Sequence, residues 1–463
     1  MGVFETHARA MRHVQPLGVS GRVSAVRGLT VSVSDFPAPI GAACRVEGMG
    51  GAVEARVVGF ADERTLVMPM GAMTGICRGA RVILTSCRQT VAMGEAVLGR
   101  VLDGAGRPID GRGPVAAKEH MPIWPEPLAA LQRRPIDQPL GTGVRAIDGL
   151  LTVGRGQRMG IFSGSGVGKS ILLGMISRFT AADVTVIGLI GERGREVRDF
   201  IEKNLGPEGL KKSVVVVSTG DEPPLLRVQA GAVAATAAEY FRDRGADVVL
   251  LVDSLTRLAT AQRQIGLVAG EPPTTKGYTP SVFNILPQLL ERSGRTERGS
   301  VTGFYAVLAE GDDLNEPVSD AVRAVTDGHI HLSRELANRG QYPAIDCLRS
   351  VSRVMIDLVD APHRLAAKEL NRLMTLYAQV EDMVSIGAYR PGTSADFDLA
   401  IKAMPWIRSF LAQGIDEPEA FADTRGRLLE LHKQIMDVKT SMGGAAGSGE
   451  PARPVGYGER RTS

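Results

Sequence analysis

Between residues 21 and 98 the apolar positions come in short runs broken by glycine. Residues 22–26, 29–33, 55–60 and 65–69 each have strand composition, with turn residues recurring between them. That rhythm predicts a small β-barrel or sandwich. Residues 99–111 are rich in turn formers and read as a connector. Residues 121–127 carry Pro122, Pro125 and Pro127 and suit an extended crossing. Beyond them the pattern changes. Near-continuous apolar runs at 184–190 and 247–252, with shorter ones at 159–162, 214–218 and 304–308, predict the strands of a sheet. The long uninterrupted runs point to parallel strands buried on both faces. The alanine-rich stretch 225–240 fits a helix packed on that sheet. After residue 362 the period is helical. Leu370, Leu373, Met374, Tyr377 and Val380 form a stripe, and helical patterns continue over 397–411, interrupted at Pro405, and over 428–438.

The resulting plan is α/β with flanking domains. Residues 1–18 carry Phe4, Ala8, Met11 and Val14 at weak helical spacing, either a helix offered to a partner or a frayed end. Residues 19–98 form the β domain, read as structural and as an assembly surface. Residues 99–355 form the α/β domain, 356–440 a helical domain, and 441–463 a tail of disordered composition.

Bulk properties narrow the function classes. The 463 residues leave room for about three domains. Lys and Arg total 54 against 51 Asp and Glu, which argues against a chain built to coat nucleic acid. Four cysteines without CxxC spacing read as free thiols in a reducing cytosol. No long uncharged apolar stretch appears, so a membrane role would come through partners.

Candidate chemistry concentrates in the α/β domain. Ser163 is followed by Gly164, Ser165, Gly166, Val167, Gly168, Lys169, Ser170 and Ile171, between an apolar run and a helical pattern. A strand, a glycine-rich turn ending in Lys-Ser, then a helix is a P-loop. Glycines let backbone N–H groups surround phosphate oxygens, and the helix N-terminus adds positive potential. Lys169 would reach the terminal phosphates of ATP, and Ser170 would ligate Mg²⁺. Ser163 stands where the usual pattern begins with Gly or Ala. Two carboxylates complete the set. Glu192 is the first past the 184–190 strand and is the candidate for orienting the attacking water. Asp253 ends its apolar strand and would hold Mg²⁺ opposite Ser170. Glu310, Asp312 and Asp313 read as a solvated loop. His329 and His331 share a strand face without a third ligand.

Gly191-Glu192-Arg193, the Asp253 strand and residues 342–353 together resemble the catalytic subunits of rotary ATPases, whose signature matches residues 343–352. Residues 143–151, 191–197 and 270–278 resemble the flagellum-specific ATPase branch and its type III secretion relatives. The similarity spans roughly residues 20–440. It implies a P-loop RecA-like core with a parallel sheet, a small N-terminal β-barrel and a C-terminal helical domain. It also implies that Arg193 neighbours the site, that Arg257 lies near the phosphates, and that Tyr342 packs on adenine. Arg353 resembles the arginine finger inserted into a neighbour's site. One chain carrying both Glu192 and Arg353 suits a homohexamer. The resemblance further implies a regulatory partner at the N-terminal segment, a central stalk protein, membrane proteins of an export gate, and export substrates with their chaperones. A cytoplasmic ring at the inner face of the membrane follows from it. A virulence secretion ATPase is the alternative within that class. An RNA-translocating hexamer would need aromatics in the β domain, where residues 20–98 hold only Phe36 and Phe60. A non-catalytic nucleotide-binding scaffold is the third class, which the intact Lys169, Glu192 and Asp253 set opposes.

Overall fold

The computed structural model describes residues 18–309 and 316–446, with side chains to Met442. The segment before Gly18, the acidic loop from Glu310 to Asp313, and the tail beyond Ala446 lie outside the described residues.

Six antiparallel strands close the N-terminal barrel: Ser20–Arg27, Thr30–Ser34, Arg64–Pro69, Gly51–Ala61, Ala43–Gly48 and Arg81–Ser86, in that spatial order. Alternating positions point inward, and Val23, Val31, Val33, Val46, Val57, Val67 and Val82 fill the interior with Phe36. Two of these strands, at 43–48 and 81–86, alternate buried and more exposed positions in short segments that carried no strong signal. Met68 leaves the barrel core and packs on Leu225, Val228, Ala261 and Ile265 of the α/β domain.

The central sheet runs, in spatial order, Val351–Ser352, Gly328–Leu332, Arg158–Ser163, Ser300–Leu308, Asp247–Asp253, Val184–Glu192, Ser213–Thr219 and Val101–Asp103. All pairs along it are parallel except Val351–Ser352 on its neighbour. Every residue of Val184–Glu192 is buried, which is why its sequence is nearly continuously apolar up to Glu192. The helix Pro224–Arg242 is buried along its whole length, and small alanines let it lie close to the sheet. Residues 101–103 differ from the expected connector. Val101 and Leu102 are buried, and the segment adds an edge strand beside Ser213–Thr219.

Three helices, Ala361–Ser385, Ala395–Leu411 and Phe421–Ala446, form the C-terminal domain. Leu370, Leu373, Ile407, Phe410, Leu428 and Ile435 share one core with Ile147 and Leu150 of the α/β domain. The second helix continues through Pro405, contrary to the expected interruption. A mid-helix proline costs about 3 kcal/mol. Its ring faces solvent while Ala403, Ile407, Phe410 and Leu411 are buried, each large apolar side chain contributing about 1.5–3 kcal/mol. The last helix likewise runs to Ala446, into the stretch expected to be disordered, propagating from the packed turns at Leu428, Leu431 and Ile435.

Candidate active site

Ligands of open parallel sheets sit at the carboxyl ends of the strands. Three strand ends deliver the candidate residues there, those of Val184–Glu192 and Asp247–Asp253 side by side and that of Arg158–Ser163 beyond the intervening Ser300–Leu308. The strand Arg158–Ser163 turns through residues 164–168 into the helix Lys169–Phe179. Gly168 caps that helix at φ 93°, a left-handed conformation that residues with a Cβ resist. Gly164 and Val167 are buried, whereas Ser165, Gly166, Ser170 and Ile171 face outward.

Lys169 Nζ contacts the Asp253 carboxylate directly and lies 3.8 Å from Glu192 Oε1. Asp253 and Glu192 each end a buried strand and are themselves buried. The chain then turns at Ser254, whose hydroxyl accepts from Arg257 N at 3.4 Å and caps the helix Leu255–Val268. That cap aims Arg257 back at the site, with Nε 3.3 Å from Glu192 Oε1. Gly191, at φ 71°, leaves the passage. A Cβ there would meet Arg257 Cβ and Cδ at 2.8 Å.

Glu192 Oε1 is buried and accepts no hydrogen bond, although two cations lie near it. Burial above all pushes the Glu192 carboxyl up to about 7. The Asp253 charge and a hydrogen bond with Glu196 push the same way, while Lys169 and Arg257 oppose them. Glu196 is correspondingly lowered by that hydrogen bond. The donor set suits a nucleotide with its metal. Ser170 and Asp253 offer hard oxygens, Lys169 offers a cation, and Glu192 keeps an unused acceptor.

Tyr342 is brought to the same place. Its ring lies beside Gly168, so that a Cβ on that glycine would sit 3.6 Å from Tyr342 Cε1. Two other residues are not brought in. Arg193 caps the helix Gly194–Asp199, points to solvent and donates to Glu196 at 3.0 Å. It meets the cluster only through Glu196, because the turn after Glu192 carries its side chain outward. Arg353 is exposed and pairs with no carboxylate among the described residues. It follows Ser352, which is in register with Gly328, whereas Ser163 is in register with Leu332. Arg353 therefore sits at the opposite end of the strands from its own P-loop, roughly 13 Å along the sheet. Glu196 and Ser254 were not singled out from sequence. The spacing of Glu196, four residues after Glu192, and the helix-capping position of Ser254 were the available signals.

Family models match along most of the chain. Residues 143–352 match the nucleotide-binding domain of the ATP synthase alpha/beta family, and residues 23–86 match that family's beta-barrel domain. Residues 359–430 match the T3SS EscN ATPase C-terminal domain. A flagellum-specific ATP synthase of Pseudomonas aeruginosa is 51% identical over 423 residues, covering 90% of this chain and 94% of the relative. A type 3 secretion system ATPase of Xanthomonas euvesicatoria is 49% identical over 419 residues, covering 90% and 94%. The assembled ATPase EscN of enteropathogenic E. coli, solved in complex with its central stalk EscO, superposes with a TM-score of 0.83 at 41% identity, covering 89% of this chain and all of that one. The matches cover all three domains of the chain, and it belongs to the ATP synthase alpha/beta family, among its flagellum-specific and type III secretion ATPases.

Proposed function

We propose that this P-loop ATPase works as a Mg²⁺-dependent homohexameric ring that energises flagellar protein export. The observation that carries the reading is Glu192, a buried carboxylate with an unused oxygen at the end of the strand beside the Lys169–Asp253 pair. ATP would lie with its phosphates over residues 164–170 and its base against Tyr342. Ser170 and Asp253 would hold Mg²⁺, which supplies charge stabilisation at the phosphates. Lys169 neutralises developing charge on the terminal phosphate. Glu192, once ionised, accepts a hydrogen bond from water and aims it for in-line attack. Arg353 acts in the neighbouring subunit, which its distance from its own P-loop supports. Hydrolysis then depends on assembly.

In this reading the ring sits at the cytoplasmic face of the inner membrane. No helix among the described residues is long and apolar enough to span a bilayer, which fits docking through export-gate proteins. The N-terminal segment would take a regulatory, stator-like partner. A central stalk would enter the ring, as EscO does for EscN. Nucleotide-driven changes would release export substrates from chaperones and unfold them. Nucleic acid has no place here. Of the two barrel aromatics, Phe36 is buried and Phe60 alone is exposed.

The test is filament protein in the culture medium of a gene-deletion strain complemented with wild type or Glu192→Gln. Secretion restored by wild type alone supports the reading. Normal filament secretion without the gene removes the flagellar role and moves the virulence reading ahead.

A further inference from the structure

A second buried network lies between the α/β domain and the C-terminal helices, and it meets the nucleotide site at one atom. Gln413 follows the helix Ala395–Leu411 and is 5% exposed. Its backbone N–H donates to the Tyr342 carbonyl at 2.9 Å. Its side chain is used at both ends. Oε1 accepts from Arg145 N at 2.8 Å. Nε2 donates to Gly143 O at 2.8 Å and to Glu417 O at 2.6 Å. The segment carrying Gln413 is thus stitched to residues 143–145, the entry to the helix Arg145–Leu150 in the same domain as the P-loop.

Tyr342 needs such support. The residue is 43% exposed, and its hydroxyl makes no hydrogen bond among the described residues. The ring position is therefore set from the backbone. Gln341 N is held by Leu336 O, and Ile345 bridges to Leu332, so both flanks are tied to the α/β domain. The Tyr342 carbonyl itself is held by Gln413, across the domain junction.

We propose that Gln413 is a positioning residue that sets Tyr342 over the P-loop and so ties binding of the base to the seating of the C-terminal helices. This rests on the reading of Tyr342 as the surface that packs on adenine. With its side chain removed, the Gln413 segment loses three hydrogen bonds. Its backbone then shifts, and Tyr342 loses the position beside Gly168. Phosphate recognition by residues 164–170 is untouched.

The experiment uses the full chain and two ligands, ATP and inorganic tripolyphosphate, which has the phosphates without the base. Gln413→Ala is expected to raise KM for ATP about tenfold while kcat stays within about twofold. The inhibition constant of tripolyphosphate should not move. Tyr342→Ala tests the underlying reading by the same two constants. If Tyr342→Ala leaves KM for ATP unchanged, the platform reading fails and this inference with it. If Tyr342→Ala raises KM and Gln413→Ala does not, the positioning role alone is wrong. Equal rises in both constants for Gln413→Ala would mean general loosening and would also overturn it. Should Gln413→Ala not fold, Gln413→Glu keeps the acceptor for Arg145 N, loses both donors and should shift KM the same way.

Discussion

Lys169, whose side chain is 10% exposed, and the buried Arg145 are both cations facing two carboxylates, and the chain treats them in opposite ways. Arg145 is satisfied at every nitrogen. Nε donates to Phe410 O at 3.0 Å, Nη1 to Glu417 and Glu419 at 2.7 and 2.8 Å, and Nη2 to Ala412 O. Around Lys169 the accounts stay open. Glu192 Oε1, Arg257 Nε and Ser163 Oγ are all buried without a hydrogen-bond partner. Each such orphan costs about 1–3 kcal/mol. A junction between domains gains from closing its bonds. A site awaiting a charged substrate keeps some open: Lys169 is paired with Asp253, but the Glu192 oxygen that would meet water is not spent on a neighbour.

The largest test of that contrast asks whether the open site is completed by another copy of the chain. Arg353→Ala should lower kcat about 10³-fold or more, as loss of an arginine finger does. Glu192→Gln should lower it about 10²- to 10⁴-fold. Mixed in equal amounts and assembled together, the two inactive proteins should recover activity. By random mixing about a quarter of the interfaces pair an intact Glu192 with an intact Arg353. Phosphate release by the mixture no greater than by its parts would place the finger's work within one chain, or nowhere.

The closed network is tested by stability. Arg145→Met leaves Glu417 without its ion pair and Glu419, buried at 6% side-chain exposure, with only Arg427 at 3.3 Å. Removing one partner of a buried pair costs about 3–5 kcal/mol. Urea unfolding should show that loss, with the P-loop still binding tripolyphosphate. A loss below about 1 kcal/mol would mean that the clasp is ornamental.

What the sequence made legible follows from how each part is buried. The strand Asp247–Asp253 appears at its full length as an apolar run, because both its faces are covered. The P-loop is legible because phosphate binding leaves few alternatives to Gly and Lys there. The edge strand Val101–Asp103 hid among Gly and Asp, since one edge pairing asks little of composition. Pro405 misled because propensity is local and the core it rides on is not. The outward turn of Arg193 depends on the side-chain direction set by the helix that Glu192 feeds. The bond from Gln413 to Tyr342 joins residues far apart in the chain, and no pattern near either one announces it.

The pH dependence of Glu192 sharpens the contrast last. Its ordinary value is 4.5, and burial with the Asp253 charge and the Glu196 hydrogen bond raises it to about 7 in the folded chain. Below pH 4.5 the carboxyl is protonated in both folded and unfolded chains, and it contributes no penalty. Between these values the unfolded chain releases its proton while the folded one keeps it. Stability therefore falls as pH rises, by up to about 3 kcal/mol in all, and the loss is complete above pH 7. Glutamine cannot ionise, so Glu192→Gln should escape that fall. The variant should match wild type in urea at pH 4.5 and exceed it at pH 8. Activity runs the other way. Only ionised Glu192 can accept from water, so kcat/KM of wild type should climb through about pH 7 and then level. The same carboxylate would thus weaken the fold over the range in which it becomes active. If Glu192→Gln is no more stable than wild type at pH 8, the oxygen left open in the single chain is already satisfied in solution, and the site is closed like the Arg145 junction.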